Sequence, residues 1–153
     1  MKLKSYLLAG IVVTAVLALS GCPGLFDGFP LTPLQRVQAF IDDVDVDSPD
    51  IADIKGHFHP NTSDLPTMDE TYLEGTMFDP ATRPFTFGSL TEGGENADYQ
   101  GSVTVTVPFT SEVDGTTFLD TTLEFTLLPD PDLVDNWLIR QILNTEEPTD
   151  VIN

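Results

Sequence analysis

The chain has 153 residues, with 25 acidic against 6 basic side chains and a formal net charge of −19. That balance repels phosphate backbones and anionic headgroups, which argues against nucleic acid or a bare lipid surface as partner and leaves cations, basic proteins or a saline setting. A single cysteine rules out disulfides within the chain, while 10 Phe, 3 Tyr and 1 Trp are enough to fill a core and argue against wholesale disorder.

Residues 1–21 read as a secretory signal peptide. Lys2 and Lys4 start it, Leu7 to Leu19 form an apolar run broken only by Thr14, and Ser20 and Gly21 are small. As a helix this run reaches only about 20 Å, short of the roughly 30 Å a permanent span needs. Leu19-Ser20-Gly21-Cys22 resembles the bacterial lipobox. The resemblance implies that the Cys22 thiol carries diacylglycerol, that the signal is cut just before it, and that the chain meets the membrane through lipid. Two or three acyl chains make a stable anchor where one does not. In enteric bacteria an aspartate after the cysteine retains a lipoprotein in the inner membrane. Pro23 stands there instead, so the resemblance points to the outer membrane or cell surface of a bacterial envelope. Cleavage removes Lys2 and Lys4, leaving all 25 acids against Arg36, Lys55, Arg83 and Arg140.

Residues 22–31, rich in Gly and Pro, read as a tether. A helix is predicted next. Thr32 and Gln35 are spaced as a capping box, Pro33 takes the first helical position, and Leu34, Val37, Phe40, Ile41 and Val44 recur on one face. A second, shorter helix is predicted with Ser48 as cap and Pro49 behind it; Ile51, Ile54 and Phe58 line one side and Pro60 ends it. Residues 60–84 read as a turn-rich connection with one helical turn near 68–75.

The remainder reads as strands. Residues 84–90 are short, and 98–112 alternate, with Tyr99, Val103, Val105, Val107 and Phe109 on one face. Pro108 cannot donate to a ladder and predicts an edge position or a bulge. Asp114-Gly115 predicts a tight hairpin turn into 116–128, where Leu119, Thr121, Leu123, Phe125 and Leu127 share a face. A last strand over 136–143 places Trp137, Ile139 and Gln141 opposite Leu138, Arg140 and Ile142, with Trp137 packed under the first helix. Residues 145–153 read as a flexible tail. The fold class is therefore α+β, a single domain over 32–144 with N-terminal helices on a curved antiparallel sheet.

Two N-terminal helices, a long hairpin, and a final strand bearing Trp137, Ile139, Arg140 and Ile142 resemble the nuclear-transport-factor-2-like, or cystatin-like, superfamily. The resemblance implies a cone-like domain. Some relatives are enzymes of the ketosteroid-isomerase or dehydratase kind, with an Asp, His or Tyr inside the cone. His57, Tyr72, Tyr99 and Asp120 have suitable chemistry, but none sits in a recognisable catalytic motif. No catalytic residue is assigned.

Asp43, Asp45 and Asp47 match the first ligands of a calcium loop, but Ser48 replaces its Gly and Ile54 its bidentate Glu. His57 and His59 stand two apart, wrong for one metal on a helix, and read as a surface pair. Gly93-Gly94 lacks the following helix and Lys of a phosphate cradle and reads as a hairpin loop. No metal or cofactor is assigned. The expectation is a non-catalytic, lipid-anchored envelope protein binding a small apolar ligand or another envelope protein, with the small enzyme as the alternative.

Overall fold

The computed structural model describes residues 29–146 and 149–153; the signal peptide, Cys22 and most of the expected tether lie outside them. Helix α1, Pro33–Val44, begins as its sequence predicts. The Thr32 side chain accepts from the Gln35 N–H, and the Gln35 side chain accepts from the Thr32 N–H at 3.0 Å. Val37, Phe40, Ile41 and Val44 form its buried face. Helix α2, Ile51–Gly56, starts later than expected: its cap is Asp50, which accepts from the Ala52 N–H at 2.8 Å, and not Ser48. A carboxylate there satisfies an orphan donor and opposes the positive helix end. The connection after it holds two 3-10 turns, Leu65–Thr67 and Pro80–Thr82, and between them, where one helical turn near 68–75 is expected, successive hydrogen-bonded turns over 69–76.

A six-stranded antiparallel sheet follows: β1 (Phe85–Phe87), β2 (Thr91–Glu92), β3 (Val103–Val113), β4 (Thr116–Pro129), β5 (Trp137–Asn144) and β6 (Thr149–Ile152). The order is β1-β3-β4-β5-β6, with β2 also on β3. Asp114 and Gly115 both have positive φ, 53° and 71°, the backbone a two-residue hairpin turn demands. Pro108 keeps its place in the ladder opposite Thr122. Its C=O accepts from the Gly88 N–H, so its missing donor faces the break between β1 and β2, where no strand needs it.

Three interruptions of register shape the sheet. Phe118 is the extra residue between Ser111↔Leu119 and Glu112↔Thr117. Arg140 is the extra residue where Thr126↔Gln141 gives way to Leu127↔Ile139, and Val151 where Ile142↔Ile152 gives way to Leu143↔Asp150. The Arg140 bulge corrects the simple alternation expected of β5. Ile142 pairs with Phe125 and Ile139 with Leu127, so both enter the core, while Gln141 turns to the other face beside Thr126. The expected flexible tail is also corrected. Thr149–Ile152 adds to β5, and Ile152 is fully buried opposite Ile142. An apolar residue there gains more by completing the core than its backbone loses in freedom.

The core is aromatic at its centre. Phe40 on α1 meets Phe58, Phe78 and Phe125 edge-on, with ring centroids 5.4–5.7 Å apart. Phe78 continues to Phe109, and Phe109 to Phe85 and Phe87. Phe40, Phe78, Phe109 and Phe125 are fully buried. Such tilted and edge-on pairs suit the ring quadrupole. Trp137, by contrast, is only half-buried at the margin of this cluster. Its backbone is what is held: its N–H donates to Leu31 and its C=O accepts from the Arg36 side chain.

Candidate functional site

The densest polar cluster joins α1, the end of α2 and the turn before β5. Arg36 projects from α1 one position before the buried Val37. Its Nε donates to the Trp137 C=O at 2.8 Å, and one terminal nitrogen to Asn136 Oδ1 at 3.0 Å. The other terminal nitrogen lies 3.2 Å from His57 Nδ1. His57 caps α2, and its Nε2 lies 2.7 Å from Asp43. A guanidinium can only donate, so Nδ1 is the acceptor and Nε2–H the donor to Asp43. The imidazole is therefore neutral. Burial pushes the His57 imidazole below its ordinary value, overcoming the Asp43 hydrogen bond, and the Arg36 charge adds to the depression.

Asn136 extends the cluster. Its Oδ1 also accepts from the Leu31 N–H, and its Nδ2 donates to Asp130. Burial works to raise the Asp130 carboxyl, but backbone donors at Asp132 and Leu133, the Asn136 amide and the Arg36 charge together hold it below its ordinary range. Burial lowers Arg36 while Asp130 supports its charge. Every nitrogen of His57 is engaged within the protein, so the cluster has no free base to offer a substrate. What it can do is lock the start of α1 to the β4–β5 turn.

The remaining candidates are not brought together. The Tyr72 hydroxyl donates to Asp64 at 2.8 Å, and burial first, with that carboxylate, raises its pKa far above the usual phenol value. Tyr99 sits in the turn before β3, outside the strand expected to hold it, with Arg140 over its ring at 5.1 Å. Asp120 is exposed on β4. His57 and His59 are not a surface pair: they are 6% and 7% exposed. The backbone explains this. Ile139 donates to the His57 C=O and accepts from the His59 N–H, stitching Phe58 alongside β5 as a parallel bridge. The alternation of His and Phe over 57–59 was the available signal for such an extended segment.

Asp43 is taken by His57, Asp45 caps the end of α1, and Asp47 reaches toward Arg83 at 3.7 Å. Gly93 and Gly94 continue the β2 edge beside Thr104, whose hydroxyl leaves no room for a Cβ at Gly93. Among the described residues no cluster of three or more His, Cys, Asp or Glu could hold a metal ion, and no helix is long and apolar enough to cross a membrane. The chain matches no protein family, no curated protein and no solved structure.

Proposed function

We propose that the chain is a lipid-anchored bacterial envelope protein whose domain binds another envelope protein or a small apolar ligand without catalysing a reaction. The observation that carries the non-catalytic half is the filled interior: Phe40, Phe78, Phe109 and Phe125 occupy the space between α1 and the sheet. An enzyme of the ketosteroid-isomerase or dehydratase kind needs an acid or base converging on an open interior. Here His57 spends both nitrogens on Arg36 and Asp43, Tyr72 spends its hydroxyl on Asp64, and Asp120 faces solvent. A cone-like, nuclear-transport-factor-2-like architecture is part of the same proposal, supported by two N-terminal helices ahead of a long hairpin and a Trp137-bearing strand.

The address rests on Leu19-Ser20-Gly21-Cys22, with Pro23 favouring the outer membrane or cell surface. Metabolic labelling with a fatty acid, followed by detergent partitioning, tests it. The native chain takes up label and enters the detergent phase, whereas Cys22→Ala does neither. Equal labelling of both would overturn the lipid anchor.

A further inference from the structure

We propose that the free edge of β4 at residues 116–121 docks a basic partner, which adds an extended strand there. The sheet is uneven. β3 and β4 run together to the Asp114-Gly115 turn, but β5 pairs with β4 only from Leu123 onward, with the Thr145 N–H reaching Thr122 as the last backbone hydrogen bond and the Thr121 hydroxyl donating to the Asn144 side chain beside it. Among the described residues, no strand lies beyond Thr122 on that side. Thr122 turns its C=O toward β5, so by strand alternation the Asp120 N–H and C=O point the same way, into the unpaired gap. An open row of this kind is a template for another strand.

The side chains at this edge are also unusual. Phe118, the extra residue of the β3–β4 bulge, is 65% exposed, and Val113 on the facing strand is exposed as well. A large aromatic held out on a hairpin suits a partner's apolar pocket. Glu112, Asp114 and Asp120 lie at the same end of the hairpin, and Val103 to Leu128 contain no Lys or Arg. A second copy would bring the same acids against these, so like charges oppose self-pairing at this edge. A segment alternating basic and apolar residues meets both the backbone and the charge.

The proposal narrows the binding role proposed above to one edge. Its readout is separate from Cys22 labelling, so each can fail alone. The probes are two capped octapeptides, one alternating Lys and Val and one alternating Glu and Val, titrated into the isotope-labelled full chain. The Lys-Val peptide should shift the amide resonances of residues 116–121 and slow exchange of the Asp120 amide. Asp120→Lys and Phe118→Ser should each weaken that binding about tenfold. Equal binding of the Glu-Val peptide, shifts confined to other residues, or unchanged affinity in both variants would overturn it. An Asp120 amide protected before any peptide is added would show that another part of the chain covers the edge, and a chain dimer broken by Phe118→Ser would assign it to a second copy. Either outcome overturns the basic partner.

Discussion

At the scale of single residues, the Arg36–His57–Asp43 line is where charge and burial meet. His57 is held neutral by burial and by the Arg36 donor at Nδ1, against the pull toward protonation of Asp43 and the weaker pull of Asp53, with Phe40 packed edge-on against its ring. Its folded value lies below the 6.5 of an unperturbed imidazole, so the unfolded chain takes up the proton first. The stabilisation is complete above pH 6.5 and is lost as pH falls from there toward the depressed folded value. His59, also lowered by burial and by Arg140, acts in the same direction. Carboxylates titrate mostly below this window. The melting temperature should therefore fall between pH 7.5 and 5.5, and His57→Gln should flatten that fall even if it lowers stability throughout. An identical slope in the variant would show that His57 does not titrate on unfolding.

At the scale of elements, the strands that close the core matter more than the aromatic residue that marks the last long strand. Ile152 on β6 is fully buried against Ile142, and Phe40 on α1 lies at the centre of the ring cluster. Truncating a buried Ile to Ala costs about 2–5 kcal/mol and a buried Phe about 3–5 kcal/mol. Trp137 keeps part of its surface in solvent and its backbone bonds survive truncation. Denaturant titration should thus rank Phe40→Ala and Ile152→Ala as clearly more damaging than Trp137→Ala. Were Ile152→Ala neutral, β6 would not be closing the core. The capping box of α1 and the Asp114-Gly115 turn were legible beforehand because each is written within four consecutive residues. The three bulges were not, because an extra residue is defined only against the strand it fails to match.

At the scale of the whole molecule, the chain carries far more negative charge than it can pair internally. Arg83 and Asp47 meet at 3.7 Å with Asp47 open to water, a pair that salt and solvent largely screen. Stability therefore rests on the aromatic and aliphatic core, against repulsion among acids spread over the surface. The Debye length shrinks from about 30 Å at 0.01 M salt to about 8 Å at 0.15 M. The melting temperature should rise over that range. Calcium at millimolar levels should add no more than magnesium, since Asp43, the first acid of the apparent calcium loop, is already bound by His57. A melting temperature indifferent to salt would mean that the acids are spaced too widely to repel, and a calcium-only rise would reopen the loop as a site.

By itself the sequence determined the α+β class, the extent of α1, the β3–β4 hairpin and its turn, and the buried face of β3. Each depends on caps, turn residues and periodicity within a short window, where the backbone's own sterics and hydrogen bonds decide the outcome. Only the tertiary structure decided the burial of His57 and His59, the marginal place of Trp137, the strand at Thr149–Ile152 and the end of the β4–β5 pairing at Leu123. His57 is buried because Arg36 and Asp43 come from another helix, and Arg36 in turn binds Asn136, 100 residues further along the chain. Local pattern cannot register such partners. A polar or marginal residue takes its environment from whichever distant groups desolvate it and satisfy its hydrogen bonds, and those are chosen when the sheet and helices pack.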